Sequence, residues 1–595
     1  MAAQSNSKPS HIKFHLLLGL ALIICWMVTT HLIRMVSESE MVSWNGKHPM
    51  GTVVKERWKR PGVFKSPPLT KPLESTYITL WLNQVHMWFG ADRIRIANFV
   101  SEAKKVGFTS IMTDVPWAWS ERESPGLFDF RSHDKHWVDE VCAKGMKLHL
   151  VLRADEFPPW MTTIDREELG EREYNRRKCG KVHNSPSMGS DKAMGMVISF
   201  FEKAVEYYSS TYGACILSFN PTINNELETR YSMVNDCQRD FNPQMLLKFE
   251  QWQQNHGGGD DPILPRDREY GKCTPQVNKE DYLWWEFRTQ VIAERYNTFC
   301  SIIANRNQRC LLHIGEFLST SDRINTNALQ MLLAMPQITD LTIDSNMALW
   351  GAPSSPSIVG ALIDAARTAD KIIHFEAATE RILPCDERGR IVLNGNDHNV
   401  LNAAKMMYGE AISRSLESGV DALGFTNLCE PHYISDFISA ANFSALHTIR
   451  SARSSSIVPT AILYIPYRAL YAYTRSISGV FCSIPEVPCW HPSFMHIPPF
   501  GYGKRRPNHC AQDIIQFQLL EIWDSMRMRH ERVKLVLDAA CFDESLLREV
   551  KEFIHVEIKG VKWDFFNGQS EKNTLETLLM KYNSFLSIST ATISV

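Results

Sequence analysis

Eight short apolar runs recur from residue 77 onward, separated by longer stretches with helical periodicity, and this alternation constrains the fold more than any other feature of the chain. The runs are 77–81, 110–113, 147–152, 215–219, 310–314, 340–343, 371–375 and 421–425. Between them, stretches such as 94–106 and 196–212 carry apolar residues three and four apart, the spacing of a helix that buries one face. Eight strand-helix units over residues 75–450 predict an α/β fold, a (β/α)8 or TIM barrel with long loops. Its functional side chains are expected at the carboxyl ends of the strands.

A smaller unit follows over 457–595, with strand patterns at 461–465 and 533–537 and helical patterns at 514–529 and 544–553. This predicts an open-sheet α/β accessory domain. It carries neither G-x-G-x-x-G nor G-x-x-x-x-G-K-[ST], so no dinucleotide or nucleoside triphosphate is expected there, and a structural or homo-oligomerising role is. At the other end, residues 14–33 contain no Asp, Glu, Lys or Arg, and about twenty such residues are enough to cross a bilayer. Lys8 and Lys13 precede the run, and Glu38 and Glu40 follow Arg34. The positive-inside bias therefore predicts a cytosolic tail at 1–13, a type II signal anchor at 14–33, and a lumenal or extracellular remainder. A cleaved signal peptide fits less well, because the residues after the run offer only a poor cleavage site. Residues 34–74, rich in Pro and Lys without a sustained hydrophobic period, read as a stem. The compartment expected is the Golgi, another endomembrane site or the cell surface.

Composition removes several classes of function. The 595 residues carry 64 Lys and Arg against 66 Asp and Glu, a net charge of −2, so no global positive field invites a nucleic-acid partner. Of 14 Cys, Cys25 falls in the anchor and none of the rest forms a C-x-x-C pair, which points to neither a zinc ribbon nor a dense disulfide scaffold. Some disulfides are expected in a lumen, with a pairing the sequence does not reveal. Asn442-Phe443-Ser444 is a glycosylation sequon that a lumenal location would expose to modification.

Two of the strand ends run into carboxylates. The fourth leads into Asn220-Pro-Thr-Ile-Asn-Asn225-Glu226-Leu227-Glu228, and the seventh into Glu376-Ala-Ala-Thr-Glu380. A retaining glycosidase needs two carboxyl groups about 5 to 5.5 Å apart, one acid/base and one nucleophile, and strands four and seven of one barrel can supply them. No metal and no cofactor is needed for that chemistry.

The ordered series Gly107-Phe108, Pro116-Trp-Ala-Trp119-Ser-Glu121, Gly126-Leu-Phe-Asp129-Phe130, Asp134, Gly145-Met-Lys-Leu148, Arg153, Pro158-Pro-Trp160, Asn184-Ser-Pro186, Tyr212 and Asn225-Glu226 resembles the catalytic barrel of β-galactosidases of glycoside hydrolase families thirty-five and forty-two. The resemblance is strongest over 75–231, and the later α/β segment is similar to the trimer-associated domain of the forty-two type. It implies a hydrolase of terminal β-linked sugars, with Glu226 as acid/base, Asn225 on the sugar 2-hydroxyl and Glu376 as nucleophile. It also implies Arg153 near the catalytic floor, while Trp119, Trp160 and Trp350 are candidates for an apolar face against a pyranose ring. The family continues Asn-Glu with Tyr-Gly where this chain has Leu227-Glu228, a departure that bears on substrate choice. Glu228 competes with Glu226 for the acid role, while Glu316 and Glu380 lack an equally direct family match. Two other readings stay open. One is a catalytically inactive barrel that binds glycans. The other is a Golgi type II glycosyltransferase or transglycosidase, against whose metal-dependent members stands the absence of any Asp-x-Asp.

Overall fold

The structure is a computed structural model and describes residues 77–82, 92–135, 137–173, 180–224, 227–231, 239–255, 279–314, 335–344, 371–377, 385–386, 388–391, 420–426, 428–434, 461–466 and 533–538. The expected anchor and stem, Asn225, Glu226, Trp350, Asn442 and the helical patterns at 514–529 and 544–553 lie outside these residues. Among the described residues no helix is long and apolar enough to cross a membrane.

All eight apolar runs form strands of one parallel sheet. In chain order these are β1 (Tyr77–Leu82), β2 (Ser110–Pro116), β3 (Lys147–Arg153), β6 (Ile216–Thr222), β7 (Leu311–Ile314), β8 (Asp340–Asp344), β9 (Ile372–Ala377) and β10 (Ala422–Thr426). Between β3 and β6 lies a small antiparallel hairpin, β4 (Gly170–Arg172) and β5 (Val182–Pro186). The hydrogen-bonded order is β6-β3-β2-β1-β10-β9-β8-β7. The ends of that series meet where Phe219 bridges Cys310 in parallel and its N–H donates to the Arg309 carbonyl at 2.9 Å. The chain thus visits the strands of a closed barrel in sequence.

Side-chain alternation explains why the strands read as apolar runs. Odd and even positions face opposite sides of a strand, and in a barrel both sides are covered. Leu80, Ile111, Leu150, Phe219, Phe375 and Phe425 face outward into the continuous core shared with the helices. The opposite positions Trp81, Met112, Val151 and Leu311 form a separate small apolar layer inside, together with Leu227. Beneath it lies a polar layer. The Thr79 and Ser110 hydroxyls are 2.7 Å apart, His149 Nδ1 meets the Ser218 hydroxyl at 2.7 Å, and the His149 and His374 rings meet edge to face. Asp340 holds this layer to the barrel wall, accepting from Arg309 Nε at 2.9 Å and lying 3.4 Å from His374 Nε2.

The surrounding helices follow from their own sequences. Helix α1 (Arg93–Val106) starts where the Asp92 carboxylate accepts the N–H groups of Ile94 and Arg95, both at 3.1 Å, a cap worth about 1 kcal/mol. It buries Ile96, Phe99, Val100 and Ala103, one stripe at i, i+3, i+4 and i+7. It ends at Gly107, whose φ of 117° is open to a residue without Cβ. Helix α2 (Asp191–Tyr212) is capped by Ser190, and α3 (Lys279–Ala304) leads into β7. Among the described residues three disulfides fasten the barrel: Cys142–Cys215, Cys300–Cys310 and Cys385–Cys429. Further along the chain, β11 (Ala461–Pro466) and β12 (Val533–Asp538) pair in parallel with each other.

Candidate active site

Glu376 is the penultimate residue of β9, on the inward-facing register, and only 4 % of its surface is exposed. It lines a small pocket together with Trp81, Leu82, Met112, Leu227, His313 and Thr426. An apolar wall with a few convergent polar groups is the usual composition of ligand-binding clefts. The pocket lies at the carboxyl ends of the strands. Its one ion pair among the described residues is between Glu376 and His313, with His313 Nε2 2.5 Å from Glu376 Oε2.

One wall depends on a glycine. Gly424 of β10 pairs in register with both Thr79 and Glu376. A Cβ placed there would lie 2.4 Å from Trp81 Cε2, so the bare backbone is what admits the indole. Trp81 in turn meets the His313 ring edge-on at 5.7 Å, and its buried Nε1 has no hydrogen-bond acceptor among the described residues. Such a donor needs a ligand hydroxyl or a water to satisfy it.

The turn after β6 is fixed on both sides of Asn225 and Glu226. Asn224 Nδ2 donates to the Arg230 carbonyl at 2.7 Å and also to the Glu228 carbonyl, while its Oδ1 accepts the Glu228 N–H at 3.2 Å. The Thr229 N–H donates to the His313 carbonyl at 2.8 Å. Leu227 then reaches the pocket with a φ of 64°, a left-handed conformation costing about 1–3 kcal/mol that persists only where surroundings enforce it. Glu228 is buried in an ion pair with Arg230 Nε, and it does not line the pocket.

Arg153, at the end of β3, is committed to two carboxylates. Its Nε and Nη2 donate to Asp155 at 2.7 and 2.8 Å, and Nη1 donates to Asp114 at 3.2 Å. Burial disfavours its charge, but Asp155 and then Asp114 outweigh burial and hold the guanidinium protonated. Of the tryptophans, Trp119 is 56 % exposed on the short helix after β2. Trp160 is half-buried against the main core. Neither lines the pocket. Trp81 and His313 do line it, although each sits within an apolar run where its type alone suggests core. The signal for them is positional, since both fall on the inward parity of their strands. In the polar layer below, burial and the neighbouring His374 charge push His149 well below its usual range. Asp340 is held below the carboxylate range, Arg309 and His374 overcoming its burial. No cluster of metal-ligating side chains occurs among the described residues.

No protein-family model matches the chain, and no curated protein matches it in sequence. Solved structures do. A cold-adapted β-galactosidase from Rahnella sp. R3 aligns with a TM-score of 0.51 at 11% identity over 79% of this chain and 66% of its own. A catalytic mutant of a GH42 β-galactosidase from G. stearothermophilus aligns with a TM-score of 0.52 at 11% identity, over 78% of this chain and 65% of its own. A β-galactosidase from the haloarchaeon Halorubrum lacusprofundi gives 0.50 at 13% identity, over 78% and 66%. The chain spans about two thirds of the length of these enzymes. At such identities the likeness establishes the fold: a parallel (β/α)8 barrel of the kind glycoside hydrolases use.

Proposed function

We propose that the chain is a retaining β-glycosidase of β-galactosidase type, cleaving terminal β-linked sugars with Glu376 as nucleophile and Glu226 as acid/base. The observation that carries this reading is Glu376 itself, a buried carboxylate at the end of the seventh barrel strand, aimed into a pocket with an aromatic wall. Glu376 attacks the anomeric carbon as the bond to the leaving oxygen breaks, and Glu226 gives that oxygen a proton. Water then attacks the glycosyl-enzyme, yielding its proton to Glu226 and returning the bonding pair to Glu376. Asn225 is assigned to the sugar 2-hydroxyl. Arg153 is assigned to orienting the floor through Asp114 and Asp155, and Trp81 joins the aromatic wall.

The fastened barrel supports a lumenal or extracellular location, because disulfides persist in oxidising compartments. With the apolar run at 14–33, it favours a type II membrane protein whose barrel stands outside the cytosol. The test is hydrolysis of a panel of 4-nitrophenyl β-glycosides by the full chain, with the product anomer followed by NMR. Retention is expected. Glu376→Gln is expected to lose on the order of 10⁴-fold or more in kcat, and Glu226→Gln about 10²- to 10⁴-fold. Binding of glycans without turnover, or inversion at the anomeric carbon, would overturn the proposal.

A further inference from the structure

The structure assigns to His313 a positioning role in this reaction: its Nε2 holds Oε2 of Glu376, so that Oε1 is the oxygen that attacks. This inference rests on Glu376 being the nucleophile.

His313 and Glu376 stand on β7 and β9 with β8 between them. Strands are spaced about 4.8 Å apart, so the two backbones are separated by about two such steps and the side chains must lean together over β8 to meet. They do meet, Nε2 to Oε2, at 2.5 Å. His313 is 8 % exposed and Glu376 4 %, a degree of burial at which an ionised carboxylate requires a partner. The imidazole is not free to swing away. Trp81 abuts its edge, and its own carbonyl is tied to Thr229 in the turn that follows Asn225 and Glu226. The barrel's other described interior histidines, His149 and His374, serve the polar layer beneath and do not line the pocket.

A carboxylate has two equivalent oxygens, and a nucleophile fixed by one of them presents the other at a defined angle. With Oε2 held beside His313 Nε2 by the ion pair, the Oε1–C1 bond forms as the C1–leaving-oxygen bond breaks and the leaving oxygen takes its proton from Glu226. In the resulting ester Oε2 is the carbonyl oxygen and stays beside His313 Nε2. When water attacks C1, the Oε1–C1 pair returns to Glu376 and the water proton goes to Glu226. His313 keeps its proton throughout, so it orients and stabilises without exchanging anything. Fixed donors of this kind typically contribute about 10²- to 10³-fold when removed singly.

The experiment compares the full chain with His313→Phe, His313→Gln, His313→Asn and Glu376→Gln on the best 4-nitrophenyl β-glycoside. Glutamine carries an amide nitrogen at about the reach of Nε2 and asparagine does not. We expect His313→Phe to lower kcat about 10²-fold with KM changed less than about threefold, and His313→Gln to recover at least about tenfold of that loss. Should the Phe variant fail to fold, the Gln and Asn pair decides, with Gln expected at least about tenfold faster than Asn. A His313→Phe variant within about threefold of wild type, or folded Gln and Asn variants equally impaired, would overturn the positioning role while leaving the glycosidase reading intact. If Glu376→Gln is as active as wild type, the glycosidase site is misassigned and the role of His313 falls with it.

Discussion

Glu171 in β4 accepts from Arg239 Nη1 at 3.0 Å and from the Ser185 hydroxyl at 3.1 Å. Burial pushes its carboxyl from 4.5 up to about 7, with Arg239 opposing and Asp240 adding to the shift. Between those values the folded chain holds a proton that the unfolded chain has released, so this group's contribution to stability falls as pH rises from 4.5 to 7. The full difference is up to about 3 kcal/mol. His149 works in the opposite sense. Its folded value lies below 6.5, so its contribution is complete above that value and is lost as pH falls. Substituting Glu171→Gln isolates the first effect: the stability of the variant relative to wild type should rise between pH 5 and pH 7.5 in denaturant melts. A difference that stays flat over this range would show that Arg239 keeps Glu171 ionised throughout.

At the scale of the element, β10 is shaped by what lies across from it. Gly424→Ala puts a methyl group 2.4 Å from the Trp81 ring, and overpacking of this kind costs about 1–3 kcal/mol. The variant should melt at a lower temperature and, because Trp81 forms the pocket wall, should raise KM for glycosides. An unchanged melting temperature would mean that the ring shifts freely. The same alternation of faces explains what was legible beforehand. All eight barrel strands appear as apolar runs because their outward residues are core, yet β2 and β6 extend past their expected ends at 113 and 219 to Pro116 and Thr222. The added residues include Asp114 and Asn220, polar side chains on the barrel's inner parity, which carry no hydrophobic signal. The hairpin β4 and β5 shows no apolar run for a related reason, since Glu171 pairs with Arg239 and His183 with Glu173, so that charge holds it in place. Glu376 was visible as a carboxylate closing an apolar run. His313 and Trp81 were not, because within such runs they look like core until the strands are arranged in a ring.

For the whole molecule, the disulfides are the clearest property that sequence spacing conceals. Cys142 and Cys215 lie 73 residues apart, and only the placement of the helix before β3 beside the start of β6 brings them together. Closing a loop of that size removes about 4 kcal/mol of unfolded-chain entropy in the simplest treatment. Joint replacement of Cys142 and Cys215 by serine should therefore lower stability by a comparable amount, measured by denaturant unfolding, and an unaltered midpoint would mean the bridge adds nothing to the fold. One measurement reaches the chemistry of Glu376 directly. The full chain is incubated with activated 2-deoxy-2-fluoro β-glycosides, weighed intact and digested for peptide mapping. A stable adduct on the peptide containing Glu376 is the predicted result, and the sugar that labels names the glycone. An adduct on a different carboxylate, or none with any sugar while glycans still bind, would contradict the account.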